Sequence, residues 1–257
     1  MKSSKHASDM KQRSLRGLLA IMLLTCLPAM AQELPDWSGS WEAQFGGLGT
    51  GYVEQPELSD AGRAQIENYR RMRDAGELPE SSEGINCVPI GMPDIMPSPL
   101  FLLEFYFVPE KIVVYLEAYG MVRWIHTDGR DIPADATPAY MGHSTAHWED
   151  DVLVVETSAV YEGTRMMIPA PDTGEMILVR HSEDLQLTER IQLIDEDTLE
   201  IITTITDPAL FEGSAQKRNL FSRRRGREWE VSEYVCAQNN RSYLDEDGKQ
   251  HFILTTD

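Results

Sequence analysis

In the stretch Val179-Arg180-His181-Ser182-Glu183-Asp184-Leu185-Gln186-Leu187-Thr188-Glu189-Arg190-Ile191-Gln192-Leu193-Ile194, side chains alternate with period two. Odd positions hold Val179, His181, Glu183, Leu185, Leu187, Glu189, Ile191 and Leu193; even ones hold Arg180, Asp184, Gln186, Arg190 and Gln192. A strand sends successive side chains to opposite faces, whereas a helix repeats every 3.6 residues. The stretch therefore reads as a strand with one apolar and one solvated face. His181, Glu183 and Glu189 then share the apolar, inward face. The alternative is a strand that starts only after Glu183, which leaves His181 and Glu183 in a wet loop.

The same pattern recurs on both sides. Leu100 leads into a strand ending at Val108, Pro109-Glu110-Lys111 turns into a long strand over residues 112–126, and Asp128-Gly129-Arg130 marks the next reversal. Glu149-Asp150-Asp151 turns into a strand over 152–157, Asp195-Glu196-Asp197 into one over 199–206, and residues 229–236 supply the last. Tight turns rich in Asp, Gly and Pro between such runs signal hairpins. One helix interrupts them: Ser59 is an N-cap, Ala64, Ile66, Tyr69 and Met72 form an apolar stripe, and Gly76 is a stop. Its arginines at 63, 70, 71 and 73 read as a solvated face. The proline- and methionine-rich stretch from Cys87 to Pro99 reads as ordered but irregular. The fold class is all-β, mostly antiparallel: an up-and-down β-barrel, which removes its own edges by closing, with one accessory N-terminal helix.

The amino end has a different character. Lys2, Lys5, Lys11, Arg13 and Arg16 precede an apolar run over residues 18–27 that ends in Ala29-Met30-Ala31. That order is a signal peptide, residues 1–31, with the mature domain at 32–257. Cys26 leaves an alternative lipoprotein reading. The run is shorter than the roughly 20 residues that span a bilayer, so no membrane insertion is expected after cleavage. The expected location is the periplasm or outside the cell. The segment carries five basic residues and one acidic, so its removal takes the formal net charge from −19 to −23. Such a surface repels nucleic acid and anionic membranes. Cys87 and Cys236 remain as an even pair in an oxidising compartment and are expected to form a disulfide; two separate buried thiols are the alternative.

Gly39-Ser40-Trp41 resembles the G-x-W that opens lipocalin-like barrels, where the tryptophan plugs one end beneath a late basic residue. The resemblance puts Arg225 or Arg227 in that place. A longer pattern comprises Asp128-Gly129-Arg130, Gly142-His143-Ser144, Trp148-Glu149, Leu153-Val154-Val155-Glu156-Thr157, His181-Ser182-Glu183 and Glu189-Arg190. It resembles a family of exported bacterial proteins of uncharacterised function, over roughly residues 87–240. Such relatives carry glycine in the Trp-Glu-Gly-Asp turn where this chain has Asp150, which alters the turn alone.

Carboxylates on an inward face must be paired or hydrogen-bonded, and such surroundings tune groups for acid–base work. The resulting expectation is cofactor-free lyase or isomerase chemistry on a small hydrophobic, possibly aromatic, substrate. His181 would be the general base or acid, oriented by Glu183 or Glu189, with His143 as the complementary donor. On the 112–126 strand, Tyr115, Glu117, Tyr119, Met121 and Arg123 would share one face; Arg123 would hold an oxyanion and the tyrosines would line the wall. Either face of that strand could be the inner one. The alternative function is a lipocalin-like carrier of a small apolar ligand. No metal site is expected: His143 and His147 on one strand lie about 13 Å apart, too far to share an ion. Gly142-His143-Ser144 lacks the nucleophile-elbow spacing, so Ser144 and Ser182 are expected to bond neighbouring strands.

Overall fold

The computed structural model describes residues 34–45, 50–77, 87–235, 242–244 and 250–252. In chain order the elements are β1 (Ser40–Ala43), β2 (Gly51–Tyr52), α1 (Asp60–Asp74), β3 (Leu102–Val108), β4 (Lys111–Leu116), β5 (Met121–His126) and β6 (His143–Glu149). They continue with β7 (Val152–Ser158), β8 (Arg165–Pro169), β9 (Met176–Arg180), β10 (Gln186–Asp195), β11 (Thr198–Thr206), β12 (Ser214–Arg224), β13 (Ser242–Leu244) and β14 (Gln250–Phe252). Nine strands form a ring in the order β1-β3-β4-β5-β6-β7-β10-β11-β12, and β12 pairs back onto β1. The expected barrel is therefore present and closed. Eight neighbouring pairs are antiparallel; β5 and β6 run parallel and meet only at Ile125–Ser144 and His126–Thr145.

Alternation builds the core. Leu187, Glu189 and Ile191 of β10 face inward beside Leu199, Ile201, Thr203 and Ile205 of β11 and Leu153 and Val155 of β7. Each fully buried Leu, Ile or Val contributes about 1.5–3 kcal/mol relative to exposure. The Cys87 to Pro99 stretch is ordered, as read, and enters the same core: Met92, Ile95 and Met96 are buried. Asp94 of this stretch accepts from Lys217 Nζ of β12 at 2.7 Å and from the Met167 amide at 2.7 Å. The barrel's contents are thus supplied partly by a segment that is not part of its wall.

Three sequence expectations need correction. Residues 112–126 are not one strand: a 3₁₀ turn at Ala118–Gly120, with Tyr119 at φ 59° and Gly120 at φ 58°, folds them into the β4–β5 hairpin. The alternation resets at the turn, so Ile112, Val114 and Leu116 point inward in β4 but Arg123 and Ile125 do so in β5. Tyr115 and Arg123 consequently lie on opposite sides of the wall. The second correction concerns Asp128-Gly129-Arg130, which is a turn but not a hairpin: β6 runs parallel to β5, so the chain must travel back over residues 127–142 first. Third, residues 229–235 contain no strand; Arg227–Trp229 is a 3₁₀ turn.

Helix α1 starts at Ser59, whose Oγ accepts from the Gly62 amide at 2.9 Å, and Gly76 follows its end at φ 70°. A Cβ on Gly62 would lie 2.4 Å from the Leu210 carbonyl oxygen, so glycine permits this contact. The helix packs on β9, and the Gln65 amide bridges both the N–H and the C=O of Arg180. Its arginines form the solvated face read from the sequence, Arg63, Arg71 and Arg73 being exposed, and they make surface pairs: Arg70 grips Asp172 with two bonds, at 2.7 and 2.9 Å, and Arg73 pairs with Glu175.

In the barrel wall, Trp41 of β1 is fully buried and Arg223 of β12 lies 4.6 Å from its ring centroid. Arg223 also donates to the Asp36 and Ser38 carbonyls at 2.7 and 2.8 Å. The basic residue over the tryptophan is therefore Arg223; Arg225 instead pairs with Glu196 and Asp197 outside, and Arg227 belongs to the 3₁₀ turn. Cys236 lies outside the described residues.

Candidate functional site

Glu189 and Arg123, from opposite ends of the sequence reading, do meet. Both side chains are 1% exposed, and they form a two-bond ion pair, Nη1 to Oε1 at 3.1 Å and Nη2 to Oε2. Ser144 of β6 and Thr157 of β7 complete the cluster: each accepts from Arg123 Nη2, at 3.2 and 2.9 Å, and their hydroxyls bond each other at 2.8 Å. Ser144 and Thr157 are cross-strand partners, so Ser144 bonds the neighbouring strand, as expected of it. Gly142 makes room for this approach; at φ 62°, a Cβ there would sit 2.8 Å from the Ser158 carbonyl oxygen. The cluster is self-neutralising. Its charges are desolvated but mutually paired, and Arg123 spends its donors on Glu189, Ser144 and Thr157.

His181 is buried but stands elsewhere. Its Nε2 bonds Thr164 Oγ1 at 2.5 Å, and its Nδ1 donates to the Ser182 carbonyl at 2.8 Å. Neither glutamate orients it: Glu183 is exposed, and Glu189 faces Arg123. The reason is local. The strand β9 ends at Arg180 and β10 begins at Gln186, so His181 and Glu183 sit on the connection and the period-two argument does not extend to them. That connection is held by Asp207, fully buried, which accepts from the amide and the hydroxyl of Ser182 at 2.7 and 2.8 Å and from the Ala209 amide at 2.9 Å. His143 points outward, and its Nε2 donates to the Thr137 carbonyl at 2.9 Å.

The second candidate set is also divided. Glu117 is a bracket, accepting from the Leu102 and Ser232 amides at 2.9 Å each. Tyr119 packs against Tyr234, centroids 5.3 Å apart. Tyr115 lines an open outer groove of about 510 Å³ with Tyr106, Val113 and Val122.

The parallel step between β5 and β6 creates a different opening. Because the register overlaps only the end of β5 with the start of β6, Met121–Arg123 has no strand partner on that side, and a cleft of about 410 Å³ lies between β5 and residues 139–144. Trp124, half exposed, Met121, Tyr140 and Met141 supply its walls; His126 and His143 stand at its rim, and Ser144 links its floor to the buried cluster. Burial holds the His126 imidazole below its ordinary range, helped by Arg130 and opposed by Asp128. Since His143 Nε2 carries the hydrogen toward Thr137, Nδ1 is the ring's basic nitrogen. Volume and lining match a small-molecule site, which is mostly apolar with a few polar groups.

Sequence reasoning missed Trp124, His126, Tyr140 and Met141. The signal available was the length of the 127–142 connection, too long for a hairpin between neighbouring antiparallel strands. No known family model and no curated protein matches the chain.

Proposed function

We propose that the protein binds a small, largely apolar molecule in the cleft between β5 and β6. The single observation behind this reading is that cleft: about 410 Å³, walled by Trp124, Met121, Tyr140 and Met141, with imidazoles at its rim. A ligand of that kind also fits the acidic, nucleic-acid-repelling surface. An exported location is part of the proposal, supported by the basic, apolar and small-residue order of residues 1–31, as is a Cys87–Cys236 bridge, supported by the even cysteine pair.

A second reading keeps the same cleft and adds cofactor-free acid–base chemistry of a lyase or isomerase type. The observation in its favour is the pair of rim histidines, with His126 disposed to be neutral and His143 holding a basic Nδ1. His181 is not used here, since both its ring nitrogens are engaged by Thr164 and Ser182.

The test is a panel of small aromatic and aliphatic compounds screened by thermal shift, by Trp fluorescence and for product formation. We expect stabilisation that Trp124→Ala abolishes and His181→Gln leaves in place. Binding insensitive to Trp124→Ala would remove the cleft from consideration. Turnover lost in both His126→Gln and His143→Gln, with binding intact, would establish the second reading.

A further inference from the structure

The main chain of β5 says more about the ligand than the side chains do. The Glu117 amide donates to Leu102 O at 2.9 Å, which turns the odd-numbered backbone groups of β4 toward β3. Even-numbered ones then face β5, and the Thr127 amide donating to Glu110 O at 2.8 Å agrees with that phase. In an antiparallel ladder a residue's N–H and C=O point the same way, and the direction alternates along the strand. Met121, Arg123 and Ile125 therefore bond β4, while Val122, Trp124 and His126 direct their backbone groups toward β6. The two-residue parallel register with Ser144 and Thr145 consumes the Trp124 carbonyl and both groups of His126. Val122 N–H, Val122 C=O and Trp124 N–H are left facing the cleft. The register leaves these three groups without a ladder partner, and no turn or loop backbone bond among the described residues engages them.

Resting on the seam-cleft reading above, we propose that the ligand is an extended secondary amide, an end-blocked or internal peptide segment with an aromatic or aliphatic side chain. It pairs with Val122 as a short added strand. Its C=O accepts from Val122 N–H, its N–H donates to Val122 C=O, and a further acceptor meets Trp124 N–H. The side chain lies against Trp124, Met121 and Met141. An uncharged ligand is favoured because the cleft lining holds no Asp, Glu, Lys or Arg, and the neighbouring Lys111 ammonium is already seated over the Trp124 ring, 4.4 Å from its centroid. The nearest buried cation, Arg123, is already bound by Glu189. Acceptor and donor at a peptide's spacing distinguish this ligand from a plain hydrocarbon, which would leave the three groups to water.

The experiment compares two probes on the mature protein by ¹⁵N-resolved NMR titration. One is N-acetyl-L-phenylalanine N-methylamide. The other is O-acetyl-L-phenyllactic acid N-methylamide, in which an ester oxygen replaces the donating N–H. We expect the amide to bind about tenfold more tightly, the ratio for one hydrogen bond at the upper end of its usual net worth, and to shift the Val122 and Trp124 amide resonances. Val122→Pro removes the cleft-facing N–H without touching the β4 ladder; it should weaken the amide probe to a similar degree, whereas Val122→Ala should not. Equal affinities for amide and ester, or an unaffected folded Val122→Pro variant, would overturn the amide reading while leaving an apolar cleft. Should Val122→Pro fail to fold, the two-probe comparison on the unaltered protein decides. If neither probe nor any apolar compound of the panel perturbs the cleft, the seam-cleft reading itself fails.

Discussion

Replacing Arg123 with methionine should be among the most damaging single changes in the barrel wall. The variant keeps most of the side-chain volume but leaves Glu189, 1% exposed, without the cation that pairs with it. Among the described residues, both bonds to the Glu189 carboxylate come from Arg123, so neither survives. Removing one partner of a buried pair costs about 3–5 kcal/mol. At about 2–4 °C per kcal/mol for a domain of this size, the melting midpoint should fall by about 6–20 °C. Glu189→Leu alone should cost less, because Arg123 keeps Ser144 and Thr157 as partners. The double variant Arg123→Met, Glu189→Leu should recover most of the loss, since an apolar pair of similar volume often equals a buried ion pair. Urea unfolding of all four proteins gives the coupling energy directly. Additive losses, with the double variant the least stable, would refute the claim that the pair is a self-neutralised structural unit; so would a change below about 1 kcal/mol in Arg123→Met.

Three further outcomes follow from geometry. Gly142→Ala should cost about 2 kcal/mol or more, because the new Cβ meets the Ser158 carbonyl at 2.8 Å in a backbone conformation, φ 62°, that alanine resists; thermal denaturation reads it. Arg223→Lys should lose about 1–2 kcal/mol despite retaining its charge, since an ammonium cannot both cover Trp41 and reach the Asp36 and Ser38 carbonyls; an unchanged midpoint would show that charge alone matters. His126, held below its ordinary value of 6.5 mainly by burial, takes up a proton less readily folded than unfolded. Its contribution to stability is therefore complete above about pH 6.5 and is lost as the pH falls below it. His126→Gln should accordingly flatten the decline in stability between pH 7.5 and 5, measured by denaturant titration at each pH.

The sequence was legible where a strand and its turn were short. From Leu185 onward the alternation of β10 is as read, and it places Glu189 inward correctly. The same rule, carried back across the end of β9, misplaced Glu183 and set His181 beside the wrong partners, because periodicity holds only within one element. Arg123 shows the converse. Its inward position follows from alternation within β5, but the Ala118–Gly120 turn resets the phase, and nothing in a chain of favourable strand formers announces a tight turn at Glu117–Gly120 beyond its one glycine. Asp150 does carry such an announcement: at φ 52° it occupies the left-handed position where glycine is expected. The seam cleft was illegible because it depends on which strands become neighbours, a long-range outcome that a 16-residue connection hints at without specifying.

The parallel step between β5 and β6 has a cause that lies in counting. Around a closed ring, strand directions can alternate without interruption only if the number of strands is even. With nine, some neighbouring pair is obliged to point the same way, and here it is this one. The weak joint is in that sense a parity defect. Side-chain changes can tighten it or drive it to another place in the wall, yet only gaining or losing a strand would abolish it. A barrel that keeps nine strands keeps at least one such parallel step, wherever in the wall it falls.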